Sequence, residues 1–401
     1  MRGKEMKIHK KHSGEGVRDI AEKYGIDEEY LRQINELGEG ECADGEELLI
    51  IVPTRTYRVQ YGDSLDKIAL RFDVRKKDLL GMNPWLHSRE LRVGESVTVK
   101  CDGGQSGMAV SNGYYYPGCN RSFLNRAMPY LTYITFCSAV ADRHGVSRVM
   151  KDDGEVALAN ENGKIPLIRV YDRYPERYTS GEDMTGFAEE LIKVAKRGNY
   201  KGIVLDSCPL VNSAEAFMSF LMILRKLMIG SDLILINEIN ENTPTDFSEY
   251  ADGSVMYYPK YAMKNPPSFD DGERKIFSDF ACVGESAKTF IDLPSPAVYN
   301  NKYIMQAEAL KAARSNGYVI DTDKNTLLSH FNDKKQGECV FNSLCGIKAM
   351  LDLARELDYM GVCFDIMRTP LSHMMMYNSM FKSSYFNSVR TREGCSRADG
   401  E

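Results

Sequence analysis

Apolar positions in the first hundred residues recur with a helical period, and the recurrence itself repeats. Val17, Ile20, Ala21 and Tyr24 fall at i, i+3, i+4 and i+7, one stripe of an amphipathic helix. The stretch GEGVRDIAEKYGIDEEYLRQIN (14–35) aligns without gaps on GDSLDKIALRFDVRKKDLLGMN (62–83), an offset of 48 positions at both ends (14 to 62, 35 to 83). Ile20-Ala21 matches Ile68-Ala69, Tyr24 matches Phe72, Ile26 matches Val74, Leu31 matches Leu79 and Asn35 matches Asn83. Each copy runs into a strand-like segment, DGEELLIIVP (44–53) and VGESVTVK (93–100), and TYRVQYG (56–62) alternates with a period of two. The pattern predicts two strand–helix–helix–strand units, 6–53 and 54–100. Each has about 45 residues, small for a core but feasible.

After a Gly/Ser-rich linker, CDGGQSGMAVSNG (101–113), strand-like runs alternate with helical ones. The runs are YYYPG (114–118), YLTYITFCSAV (130–140), IPLIRVYD (165–172), GIVLDSC (202–208), DLILINEI (232–239), SVMYYP (254–259), KTFIDLP (288–294) and MGVCFDIM (360–367). Several are near-continuously apolar, as strands buried on both faces of a parallel sheet should be. Eight such units predict an α/β fold, a (β/α)8 TIM barrel over 109–385. A small α+β insertion (308–341) precedes the last strand.

Composition narrows the function classes. The 401-residue chain is 43% apolar, carries a net charge of −6 and has a pI near 5.7, which argues against nucleic acid as the main partner. Mean hydropathy is −0.38, and no apolar run approaches the roughly 20 residues of a membrane helix, so no membrane partner is expected. MRGKEMKIHKKHSGEG (1–16) lacks the apolar core of a signal peptide; synthesis in the cytoplasm is expected. The 10 cysteines form no CxxC pair and the six histidines no ligand-spaced cluster, so neither a metal nor another cofactor is expected.

Barrel chemistry concentrates at the C-terminal ends of strands. Those ends offer Asp172, Asp206, Glu238, Tyr257 or Tyr258, Asp292 and Asp365. Asp206 and Cys208, two residues apart, share one strand face. Cys208 as a nucleophile would need a base, and the alternative is an inert buried thiol. Glu238 reads either as an acid or as a helix cap or rim salt bridge. Of Tyr257 and Tyr258, one should face the barrel.

The repeat resembles the LysM module, a βααβ fold that binds N-acetylglucosamine-containing glycans. The second copy carries the family's Gly62-Asp63-Ser64-Leu65 opening and Met82-Asn83-Pro84, whereas the first has Glu15-Gly16 in place of the Asp-Ser/Thr. The resemblance implies a sugar groove between Gly62–Leu65 and Asn83–Leu86: Gly62, Asp63, Ser64 and Leu65 on one side, Asn83, Pro84, Trp85 and Leu86 on the other. Trp85 either stacks on a sugar face or plugs the small core.

The barrel resembles glycoside hydrolase family 18, particularly the LysM-bearing spore-cortex-lytic N-acetylglucosaminidases. YKGIVLDSC (200–208) stands on the family's Y-x-G-x-x-x-D-x-E strand, YADGSVMYYP (250–259) on its sixth strand, and 339–367 on its closing helix and eighth strand. In that family the Glu is the general acid and the substrate's acetamide is the nucleophile. The resemblance places Asp206 as the acetamide-orienting Asp and Cys208 at the acid. Pro259 stands for a sixth-strand Asp and Phe364 for a cleft Trp. Asp206, Cys208, Tyr257, Tyr258, Phe364 and Asp365 would line the cleft. The implied protein binds peptidoglycan or a chitin-like polymer without cleaving it, and is deposited on the spore or cell envelope, with spore-coat proteins as further partners. The alternatives are an active N-acetylglucosaminidase with its acid relocated to Glu238, and a spore or envelope assembly protein.

Overall fold

The computed structural model describes residues 6–87, 89–101, 108–174, 184–206, 214–239, 250–256, 288–293, 296–299, 302–324, 327–333 and 337–383. Two βααβ units open the chain. In the first, β1 (Lys7–Lys10) and β2 (Glu47–Ile50) pair antiparallel around helices Val17–Tyr24 and Glu28–Ile34. In the second, β3 (Pro53–Arg58) and β4 (Ser96–Cys101) pair around helices Leu65–Phe72 and Lys76–Met82. The helical stripes read from the sequence form the cores: Val17, Ile20, Ala21 and Leu31 in one unit, Ile68, Ala69 and Leu79 in the other.

The matched asparagines explain part of the repeat. Asn35 donates to the carbonyls of Leu31 and Leu49 and accepts from the Leu49 amide. Asn83 does the same with Leu79 and Thr98. Each pins the end of the second helix to the last strand, satisfying backbone groups that burial would otherwise leave unpaired.

The barrel follows. Eight parallel strands, β5 (Met108–Tyr115), β6 (Tyr133–Asp142), β8 (Ile165–Asp172), β9 (Gly202–Asp206), β10 (Ile234–Ile239), β11 (Gly253–Met256), β12 (Thr289–Asp292) and β18 (Gly361–Asp365), pair in that order, and β18 closes on β5. β7 (Gly145–Arg148) adds antiparallel to β6, and β19 (Lys382–Ser383) adds to β5. Alternation sorts the strand residues. Leu167, Val204, Ile236, Val255, Phe290 and Cys363 fill the interior, whereas Phe136, Ile168, Ile203, Leu205, Leu235 and Val362 pack under the helices. Gly361 is required where β18 meets β5, because a Cβ there would lie 1.6 Å from the Val110 carbonyl oxygen.

The first barrel strand begins earlier than the sequence suggests. Residues 108–113, expected in the linker, are strand, paired to both β18 and β6. Val110 and Asn112 face the barrel interior: Asn112 accepts from Thr135 Oγ1 at 2.9 Å and donates toward Cys363 Sγ at 3.5 Å. Barrel closure overrides a composition that reads locally as a loop.

The insertion spans more than expected. Strands β13 (Pro296–Tyr299), β14 (Lys302–Met305), β15 (Asp321–Thr322), β16 (Leu328–Asp333) and β17 (Gly337–Asn342) form an antiparallel sheet beside helix Gln306–Asn316. The first unit is fastened to it. Arg314 reaches Glu46 Oε1 at 2.5 Å and Oε2 at 3.1 Å and also donates to the Glu36 carbonyl. The Ile320 amide donates to the Asp44 carbonyl, and Ala43 joins the core around Phe331. Gly45 sits there with φ +80°, so close that a Cβ would lie 1.8 Å from the Ile320 oxygen. The second unit meets the barrel through Tyr130, whose hydroxyl donates to the Gly81 carbonyl at 2.8 Å. Helix Leu371–Met380 carries four methionines, Met374, Met375, Met376 and Met380, and packs in the core.

Candidate functional site

In the second unit the first loop is exposed and locally well built. Gly62 turns the chain at φ +81°. Asp63 accepts from the Gln60 amide at 2.8 Å and the Tyr57 hydroxyl at 2.7 Å, and these bonds lower its pKa, the amide bond most. Ser64 caps the helix by accepting from the Lys67 amide, and Leu65 packs partly into the unit's core. Beside them Tyr61 is 95% exposed.

The second loop differs from expectation. Asn83 is fully buried with its amide committed to backbone bonds, and Pro84 and Leu86 are buried as well. Asn83 and Leu86 form no open groove wall, and Pro84 lines a cleft shared with the first unit and the barrel instead. The second unit itself is the reason: Asn83 is held by Leu79 and Thr98, and Leu86 joins the unit's own core, while Trp85 turns toward the first unit. Trp85 is half-buried there, edge-on to Tyr30 of the first unit with ring centroids 6.0 Å apart at 82°. It neither sits in an isolated small core nor stands free on a loop.

At the barrel mouth, Glu238 at the end of β10 is wholly buried. Arg169 of β8 grips it: Nε lies 2.8 and 2.9 Å from the two carboxylate oxygens, and Nη2 lies 2.7 Å from Oε2. The Tyr114 hydroxyl donates to Oε1 at 2.9 Å. Glu238 is thus in a salt bridge, but inside the barrel rather than on its rim.

Asp206 is the register partner of Glu238 on β9, and position 206 falls on the same strand face as Val204. Asp365 is buried. It accepts from the amides of Met367 and Arg368 at 3.0 Å and from the Arg368 guanidinium at 2.9 Å. Burial nonetheless raises its pKa, against the pull of Arg368. Asp172 accepts from the Tyr174 amide, and Asp292 is buried at the end of β12. Tyr116 stacks on Tyr114 at 6.0 Å and 27°, with the Arg368 guanidinium 5.9 Å from its ring. Arg169, Tyr114 and Tyr116 are absent from the sequence-level site because only the closed barrel brings them together.

Phe364, expected in the cleft, faces the other way. It packs edge-on against Tyr377 of helix Leu371–Met380, 5.5 Å between centroids, in the core outside the barrel. Strand parity is the cause: Cys363 points inward, so Phe364 cannot. Cys208, Tyr257, Tyr258 and Pro259 lie outside the described residues.

The architecture is a LysM domain, preceded by a second unit of the same fold, ahead of a barrel similar in fold to those of glycoside hydrolase family 18. The LysM domain family matches residues 57–100. Among curated proteins, the chain is 26% identical over 191 residues to the "Putative sporulation-specific glycosylase YdhD" of Bacillus subtilis (strain 168). That match covers 47% of this chain and 42% of YdhD, so the chain spans less than half of that relative. Among solved structures, the spore cortex-lytic enzyme SleL of Bacillus megaterium QM B1551 superposes with a TM-score of 0.72 at 18% identity, over 94% of this chain and 99% of SleL. A family GH18 chitinase mutant from Cycas revoluta in complex with (GlcNAc)4 superposes with a TM-score of 0.58 at 12% identity, over 68% of this chain and 99% of the chitinase. The SleL likeness extends the shared fold through the N-terminal units as well as the barrel.

Proposed function

We propose that this chain binds N-acetylglucosamine polymers of the peptidoglycan or chitin type, and that its barrel does not hydrolyse them. The LysM match supports the first half, as do the SleL and chitinase likenesses. The observation that carries the second half is the occupation of Glu238 by Arg169 and Tyr114. Cys208 stands two residues after Asp206, where the resemblance places the general acid. A thiol of ordinary pKa about 8.5 is protonated at neutral pH, but it is shorter than Glu and poorly matched to proton transfer near pH 7. The carboxyl group best placed to substitute is Glu238, the register partner of Asp206. Arg169 and Tyr114 already engage both of its oxygens, so it is not poised to reach a glycosidic oxygen. Deposition on the spore or envelope, and contact with spore-coat proteins, belong to the same reading through the SleL and YdhD likenesses.

The test combines binding and turnover. The full chain should be retained by insoluble peptidoglycan or chitin and should release no reducing ends from chito-oligomers or cortex fragments. Hydrolysis by the wild type that Glu238→Gln abolishes, in a variant that still folds, would replace this reading with the active-enzyme one. No retention and no hydrolysis would leave the assembly role.

A further inference from the structure

Between the two N-terminal units and the barrel runs a furrow of about 1000 Å³. Helix Glu28–Ile34 forms one wall with Gln33, the second unit supplies Trp85 and His87, and barrel helix Arg121–Ala127 supplies Phe123, Asn125 and Arg126. A further cleft of about 500 Å³ is also lined by Gln33 and Trp85, so Trp85 stands between the two. Neither cleft includes Gly62–Leu65.

We propose that this interdomain furrow, rather than a groove inside the second unit, is the track for a neutral N-acetylhexosamine oligomer, with Trp85 and Phe123 as its stacking platforms. The proposal rests on the glycan-binding reading and assigns that binding a place.

Size is the first argument. The furrow lies at the upper end of the roughly 300–1,000 Å³ of ligand pockets, and it shares Glu29, Gln33 and Trp85 with the second cleft, room for more than one sugar. Chemistry is the second. Indole and phenyl faces suit the apolar face of a pyranose, while the side-chain amides of Gln33 and Asn125 both donate and accept, as hydroxyls and acetamides do. Charge is the third. Arg126 is paired with Glu36 and Arg32 with Glu28, and Glu29 and Glu39 also line the furrow, so no unmatched guanidinium awaits an anion. That favours a neutral ligand over an anion.

Rigidity is the fourth. The walls come from three parts of the chain held together by Arg314–Glu46 and Tyr130–Gly81, so the furrow is preformed.

Trp85 is the only tryptophan in the chain, which makes the furrow directly observable. The experiment titrates the full chain with chitohexaose, following tryptophan emission and calorimetric heat together. The two signals should share one midpoint. Phe123→Ala and Asn125→Ala should each weaken affinity by about two- to tenfold, the scale of one stacking or hydrogen-bond contact. Tyr61→Ala, on the exposed loop of the second unit, should bind as wild type. Thermal melts confirm folding, and Asn125→Ala carries the test if Phe123→Ala unfolds. If heat persists while emission stays flat, both furrow variants bind normally and Tyr61→Ala loses binding, the furrow is overturned and the glycan-binding reading stands. If chitohexaose gives neither heat nor an emission change, both fall.

Discussion

Arg169 and Glu238, 69 positions apart in sequence, form a bidentate ion pair inside the barrel, on strands separated by β9. Glu238 is fully buried and Arg169 is 15% exposed. Removing one partner of such a pair strands a charge in a low-dielectric site, at about 3–5 kcal/mol. Arg169→Met should therefore lower unfolding stability by that order in urea titrations. The double variant Arg169→Met/Glu238→Leu should recover much of the loss, since it leaves neither charge uncompensated. A double variant as unstable as the summed singles would show that the pair does not act as a unit.

Arg314 ties the first unit to the insertion through Glu46, whose side chain is 3% exposed, and through the carbonyl of Glu36. Arg314→Ala leaves the Glu46 carboxylate without this partner, and the first unit should loosen from the barrel. Limited proteolysis should then cut near the 50–54 junction much faster than in wild type. An unchanged digestion pattern would show that the apolar contacts of Ala43 and the Asp44–Ile320 backbone bond suffice.

Asn83→Ala removes the side chain that joins Leu79 and Thr98, leaving two carbonyls and one amide to find other partners. The expected loss is about 1–3 kcal/mol. Asn35→Ala should behave alike in the first unit, because the geometry is the same. Protection of the Thr98 and Leu49 amides from hydrogen exchange reads each variant separately.

Burial lowers two histidine pKa values, to about 4 for His87 and about 3 for His373. In the unfolded chain each takes up a proton near pH 6.5. Between that pH and the folded values the unfolded state holds more protons, so stability is full above about pH 6.5 and falls as pH drops toward 4 and then 3. Urea midpoints at pH 7 and pH 5 should show the loss, and His373→Leu should reduce it. A midpoint independent of pH over that interval would mean that these imidazoles already carry protons in the folded state.

Cys208→Glu restores a carboxyl at the position the family resemblance assigns to the acid. General acid catalysis is worth about 10²–10⁴-fold, yet Pro259 stands where that family has an acetamide-holding Asp, so only weak cleavage of chito-oligomers is expected. Wild-type cleavage equal to that of the variant would contradict the proposed loss of the acid.

Much of the architecture is set by local periodicity. The 48-position repeat, the helical stripe at Val17, Ile20 and Ala21, and the apolar runs that became β8, β9 and β10 depend only on spacing within one element, so they are legible in the chain itself. The strand face of Asp206 follows from the same rule. Where the local signal is ambiguous it misleads: 108–113 looks like a linker, and the family resemblance puts Phe364 in the cleft although its parity with Cys363 turns it outward.

Tertiary structure alone decided the partners. Nothing near Glu238 in sequence announces Arg169 or Tyr114, and Arg314 lies 268 positions from Glu46. Trp85 sits in a loop whose motif suggests an open groove, yet Leu86 joins the second unit's own core, Trp85 turns toward the first unit, and a furrow lies beside it between the two units and the barrel. Side-chain periodicity is a property of one element and is written locally. Ion pairs, clefts and buried loops depend on how elements register and dock, which is settled only when distant segments meet.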